Sequence, residues 1–306
     1  MRITVIGTIN KDLILPFNHA PIESFGGIFY DLVILAQLLD PGDVVTPVSY
    51  LGQDVEGMMR AVLAKIPVVN PEGLLLAPER HHKVILEYTA PEERDEKSLF
   101  PFPPLTWEQI EPHLDADMII VNLVTGWDLE RDAFLKLKAV AGDRLYVDIH
   151  YLVMGVDSLG RRFIQPPENL EDWVRGVRFV QMNEREFGVV GQGTRNEVAF
   201  FQANMNPDQV LLATKGGAGA EMIYQRSGMV ARKLHAGYKP PRFIDTTGCG
   251  DAFGAGFVFR YLQSGRISDA LDFATLVGAA NCALQGTNEM HRLRETMDGI
   301  LRQLQR

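Results

Sequence analysis

A doubly wound, mostly parallel α/β sheet flanked by helices, with a small β lid over it, is the fold this sequence predicts, on two observations. Short β-branched apolar runs alternate with helical patterns along most of the 306 residues, as they do where helices cross between parallel strands. Two strand-like segments, near 11–17 and 82–100, lack a following helix, which sets them apart as the lid.

Taken in order, residues 3–9 are a short apolar run suited to a strand buried on both faces, the first central strand. After Gly26-Gly27, residues 28–39 are apolar around most of a helical wheel and stop at Pro41-Gly42, which predicts a buried helix. The alternation continues with strand 44–51, helix 55–65, strand 117–124, helix 129–140 and strand 144–149. Residues 179–182 and 209–214 add two strands, 220–234 a hairpin, and the chain from Asp251 onward is mostly helical in pattern. Within the lid, 82–89 reads as a strand and the charged stretch 91–97 as a solvated hairpin tip. One domain is expected over 1–306.

Composition narrows the function classes. A formal net charge of −9 has the wrong sign for a protein whose partner is a phosphate backbone, and no basic arm occurs, so nucleic acid is not an expected ligand. No apolar run approaches the roughly 18 residues that span a bilayer. Two cysteines, Cys249 and Cys282, are too few for a disulfide framework. The N-terminal residues show no signal-peptide pattern, so a reducing cytoplasm is the expected compartment.

The chemistry concentrates in Asp245-Thr246-Thr247-Gly248-Cys249-Gly250-Asp251, followed by a helix rich in small residues. Gly248 and Gly250 permit a tight turn just before a helix whose first amides have no partner inside it. Converging N–H groups and the helix dipole make that turn a place for an anion such as phosphate. Asp251, in the first turn, stands where a carboxylate can take the proton of an attacking hydroxyl. Taken alone, the same residues also describe a tight loop with a capping carboxylate.

This Asp-Thr-x-Gly-x-Gly-Asp element resembles the signature of the ribokinase-like (PfkB) carbohydrate kinases. The resemblance implies an ATP-dependent kinase acting on a hydroxyl of a sugar, with Asp251 as base and Gly248, Cys249 and Gly250 as anion hole. Alanine is usual in the family where Cys249 stands here; a small packing residue serving through its backbone amide is the expected role. Asn183-Glu184-Arg185-Glu186 resembles the family's Asn-x-x-Glu element, which organises Mg²⁺ and its waters; the same spacing makes a helix cap with a carboxylate three residues on, and both readings can hold together. Thr214-Lys215-Gly216-Gly217-Ala218-Gly219 resembles the family's nucleotide-side turn, although a bare glycine turn between strands looks the same. The resemblance thus implies Asn183, Thr214, Gly216, Gly219, Thr246 and Asn281 at the ATP site, Asn183 and Glu186 around Mg²⁺, and Asp245 with Thr247 beside a monovalent cation, K⁺.

The resemblance further implies that the first half holds the acceptor, with Asn10, Asp12, Gly26, Gly27 and Asp31 as substrate residues. Asp31 replaces the asparagine common in the family, an acceptor-only group for a donor-acceptor amide. Gly52 and Asp54 fit a turn and helix cap equally well, and Asp148 and His150 end a further strand. A nucleoside acceptor is the competing reading, with Phe17, Tyr30 and Phe100 as an aromatic slot; a kinase-like protein that binds without turnover is another. Family members also imply a homodimer formed through the lid.

Overall fold

The computed structural model describes residues 1–16, 20–90, 93–240 and 242–304. Its strands are β1 (Arg2–Ile6), β2 (Ile9–Leu15), β3 (Ile22–Gly27), β4 (Val44–Gly52), β5 (Leu74–Ala77), β6 (Lys83–Ala90), β7 (Glu93–Leu99), β8 (Met118–Asn122), β9 (Leu145–Asp148), β10 (Met154–Val156), β11 (Arg162–Ile164), β12 (Phe179–Asn183), β13 (Val210–Thr214), β14 (Ala220–Arg226) and β15 (Met229–His235). The helices are α1 (Phe29–Leu38), α2 (Glu56–Leu63), α3 (Trp107–Ile110), α4 (Arg131–Ala141), α5 (Leu170–Val174), α6 (Glu184–Val190), α7 (Glu197–Asn204), α8 (Cys249–Ser264), α9 (Ile267–Asn281) and α10 (Leu293–Leu304).

The large sheet runs β15-β14-β13-β12-β9-β8-β1-β4-β5. It is parallel except where β14 pairs with β13 and β15, so the predicted doubly wound α/β fold stands. Strands β8 and β9 are buried from end to end, as expected where helices cover both faces. Residues Asp251–Phe259 of α8 are likewise all buried. The small residues in this helix let it pack closely: a Cβ added at Gly256 falls 2.9 Å from Val277 Cγ2 on α9.

The lid is a second sheet, ordered β3-β2-β6-β7, with a small apolar cluster of Ile14, Val84 and Leu86. Three expectations change here. The first run, expected over 3–9, breaks after β1, and Ile9 already belongs to the lid strand β2. β2 ends at Leu15; Phe17 lies outside the described residues. Of the charged stretch 91–97, expected as a solvated hairpin tip, residues 93–97 belong to the edge strand β7, which pairs with β6, and Pro91 and Glu92 lie outside the described residues. A charged edge strand resists pairing with another chain, which reconciles the composition with strand geometry. β3 is a strand that the pattern did not suggest.

His81 and His82 tie the lid to the main sheet. The Gly52 amide donates to His81 Nδ1 at 3.1 Å, the His81 amide donates to Asp54 Oδ1 at 2.8 Å, and the Lys11 amide donates to the His82 carbonyl at 2.9 Å. Gly52 and Asp54 therefore anchor the lid rather than face the cavity described below. Burial pushes both imidazoles down to about 4, so each is neutral in the folded protein while the unfolded chain takes up protons below its ordinary value. A depressed histidine contributes stability present above about pH 6.5 and lost as pH falls toward 4. For His82→Phe, which fits beside Phe102 and Trp127, the expected result is that acidification from pH 7 to 5 costs about 2 kcal/mol less than in the wild type. Urea midpoints at the two pH values measure this, and equal losses would remove His82 from the acid response.

Candidate active site

Four neighbouring parallel strands end in a polar residue: Asn122 on β8, Asp148 on β9, Asn183 on β12 and Thr214 on β13. The register pairs Asn122 with Asp148, Asp148 with Gln181, and Asn183 with Thr214. These ends line the carboxyl edge of the sheet, where open α/β folds place their ligands. The start of α8 borders the same cavity, of about 250 Å³, through Thr246, Gly248, Gly250 and Asp251. Asn10, Asp12 and Gly27, together with the lid residues Val84 and Leu86, form its other wall.

Residues predicted for acceptor and donor thus meet in one cavity. Gly26 serves from behind: a Cβ there falls 1.9 Å from Asp12 Oδ2, so glycine makes room for that carboxylate. Asp31 is buried beneath the site, and Asn122 Nδ2 donates to its Oδ2 at 3.1 Å. Gly216, Gly219 and Asn281 do not border the cavity. Gly219 sits in the turn between β13 and β14, while Asn281 Nδ2 braces the α8 turn by donating to the Thr247 carbonyl at 2.9 Å. The Cys249 amide, expected to face an anion, donates to the Thr246 carbonyl at 3.2 Å. The helix-start amides of Gly250 and Asp251 are then those left for a phosphoryl group.

Sequence reasoning missed the group that holds Asp251. Asn122 Nδ2 donates to Asp251 Oδ1 at 2.7 Å as well as to Asp31, and Asn122 Oδ1 lies 2.9 Å from His150 Nδ1. Gln181, also missed, donates to Asp148 Oδ2 at 2.6 Å and to the Gly250 carbonyl at 3.1 Å, joining β12 to the α8 turn. Their signal was positional: Asn122 closes an otherwise apolar parallel strand, and Gln181 is a polar residue within the buried run of β12.

The electrostatics are those of crowded carboxylates. Burial, reinforced by Asp251, holds Asp31 well above the usual carboxylate range. Burial, then Glu186, Asp251 and Asp31, do the same for Asp148. Glu186 is pushed up to about 8, again mainly by burial. Asn183 and Glu186 form the reciprocal cap expected of their spacing, with the Asn183 amide donating to Glu186 Oε2 at 2.8 Å and the Glu186 amide to Asn183 Oδ1 at 2.9 Å. Buried acidic oxygens raised by one another suit a hard divalent cation such as Mg²⁺, which takes oxygen ligands and keeps its own waters. Ligand atoms of Asp148, His150 and Asp251 also lie within 4.8 Å of one another. The place expected for K⁺ looks different: Thr247 N and Oγ1 donate to Asp245 Oδ1 at 2.9 and 2.8 Å, and Asn281 takes the Thr247 carbonyl.

Asn122 fixes one oxygen of Asp251, so for the kinase activity expected from the sequence resemblance Asn122→Ala should lower kcat about tenfold to a hundredfold with little change in ATP affinity, as loss of orientation does. Steady-state kinetics with separate ATP titration measures this, and a change confined to KM would assign Asn122 to binding instead.

Residues 155–293 match the model of the pfkB family carbohydrate kinases, a span holding Asn183, Thr214 and Asp251 but none of the predicted acceptor residues. An ATP-dependent ribose-1-phosphate kinase of Halopiger xanaduensis is 32% identical over 79 residues, 26% of this chain and 25% of that protein. The ketohexokinase of Mus musculus is 36% identical over 75 residues, 24% of this chain. The alignment thus spans 25% of the length of each of these relatives. In fold, a pyrophosphate-dependent kinase of the ribokinase family superposes with a TM-score of 0.78 at 16% identity, covering 96% of this chain and 99% of that one.

Proposed function

We propose that this chain, ribokinase-like in fold and pfkB-matching over residues 155–293, is a kinase that transfers the γ-phosphoryl group of ATP to a hydroxyl of a sugar or related polyol. One observation carries the reading: Asp251 and the α8 amides open onto the same cavity as Asn10 and Asp12. Acceptor hydroxyls bond to Asn10 and Asp12, which places one of them beside Asp251. With Asn122 on Oδ1, the second oxygen of Asp251 takes the hydroxyl proton as attack begins. The Gly250 and Asp251 amides hold the transferring group, so the protein supplies position and charge stabilisation, the main needs of phosphoryl transfer. Mg²⁺, organised through Asn183 and Glu186, supplies neutralisation of the phosphate charge when bound.

Asn10, Asp12 and Asp148 on the wall offer polar partners for the hydroxyls of a polyol. Phe100 does not border the cavity; it is 41% exposed and lies under the Arg80 guanidinium. Tyr30 borders the cavity but packs beneath Gly248, and Phe17 lies outside the described residues, so of the anticipated slot only Tyr30 is on the described wall, beside His150 and Tyr151. Measuring phosphate-donor consumption across sugars, polyols and nucleosides, with ATP and pyrophosphate as donors, tests the proposal. Turnover with ATP and a sugar or polyol is expected. Turnover with pyrophosphate alone replaces the donor, and none with any pair removes the kinase reading.

A further inference from the structure

The chain's two cysteines meet at the turn that opens α8. Cys249 is the first residue of that helix and Cys282 caps the C-terminal end of α9. Their sulfurs lie 2.6 Å apart, and both are half-buried thiols. We propose that Cys249 and Cys282 form a dithiol site that small-molecule disulfides oxidise reversibly to an intramolecular disulfide, and that the oxidised form slows phosphoryl transfer. Packing alone explains a small residue at 249, but it does not explain why the only other cysteine of the chain touches it.

The surroundings make the pair consequential. The Cys282 carbonyl accepts from the Ile244 amide at 2.8 Å and the Asp245 amide at 3.3 Å. Asn281 Nδ2 reaches Cys249 Sγ at 3.3 Å besides the Thr247 carbonyl. The end of α9 is therefore already the post to which the 244–247 segment is tied. A sulfur–sulfur bond between these touching atoms ties the first residue of α8 covalently to that post and takes away its freedom to adjust around a bound phosphoryl group. Gly250 and Asp251 follow one and two residues later. Small displacements of reacting groups are costly, of order a hundredfold in rate for about 1 Å.

The chemistry balances. Cys282, as its thiolate, attacks one sulfur of a disulfide such as oxidised glutathione and releases the first small thiolate. Cys249 then loses its proton to solvent, and its sulfur displaces the second small thiolate from Cys282. Two protein thiols are oxidised, and one small disulfide is reduced to two thiols. Cys249 does not border the cavity, so a bound acceptor does not block the step.

The effect on turnover rests on the kinase reading, whereas the disulfide does not, and two readouts separate them. After incubation of the protein with oxidised glutathione, the intact mass is expected to fall by about 2 Da with no titratable thiol in denaturant. Turnover is expected to drop about tenfold or more, and dithiothreitol should restore both. Cys282→Ala is expected to keep its turnover under the same treatment. Two thiols still titrating, or separate glutathione adducts on each cysteine, would overturn the dithiol site. A mass loss with unchanged turnover would overturn the control of catalysis. Absence of any turnover in the reduced protein would remove the kinase reading while the mass still decides the disulfide.

Discussion

Asp251→Asn should lower turnover by about a thousandfold or more while ATP binding persists. The substitution keeps the shape and the oxygen that accepts from Asn122 Nδ2 at 2.7 Å, but an amide cannot take the proton of the acceptor hydroxyl. The α8 amides are backbone groups and are untouched, so the donor still has its cradle. Stability should move the other way. Burial is the main cause that lifts the carboxyls of Asp31, Asp148 and Glu186 and Asp251 adds to it, so replacing that carboxylate eases the crowding of buried acidic groups. A thermal midpoint equal to or above the wild-type value, with catalysis gone, would show a residue kept for chemistry at some expense of stability. Product formation, calorimetric ATP titration and thermal unfolding on the same preparation give the three numbers, and turnover near the wild-type level would exclude Asp251 as the base.

The parallel sheet and the α8 turn were legible in the sequence for a shared reason. Runs such as Met118–Asn122 and Phe179–Asn183 are short, apolar and set between helical patterns, and the glycines before Asp251 announce a turn by composition alone. The lid was harder. β3 contains two glycines and a serine, and β7 is almost wholly polar, so neither shows the apolar alternation that marks a strand; their partners across the sheet define them. Asn122 and Gln181 were illegible for a different reason. Each is one polar residue in a buried strand, and its role depends on register with β9 and on the position of α8 across the sheet, neither of which local sequence contains. Asn281 shows the converse case: the resemblance placed it at the nucleotide, while its side chain in this chain holds the Thr247 carbonyl and the Cys249 sulfur. The expected acceptor side stands between these extremes: the resemblance pointed to Asn10, Asp12 and Gly27, which border the cavity from β2 and β3, while Val84 and Leu86 of β6 beside them were not singled out.

Gly248→Ala is the second substitution with a large expected effect, and it separates the turn from the base. Gly248 caps α8 at φ 76°, a left-handed conformation that disfavours side chains, at a cost of about 1 kcal/mol for alanine. Sterics add to this. A Cβ there lies 2.3 Å from the Tyr30 ring, and Tyr30 is almost wholly buried on α1, so neither the ring nor the turn has room to yield cheaply. Together these terms predict a loss of about 2–3 kcal/mol in unfolding free energy. The helix start then moves away from Tyr30, carrying the Gly250 and Asp251 amides out of register with Asn10 and Asp12 across the cavity, and turnover should fall about a hundredfold or more. Gly250→Ala provides the contrast. Its Cβ meets only Gln181 Nε2 at 3.5 Å, an ordinary contact, and alanine favours a helical position, so stability should hold within about 0.5 kcal/mol. If chemical denaturation showed Gly248→Ala as stable as the wild type, with turnover intact, the turn would be a passive loop and the anion hole would have to lie elsewhere.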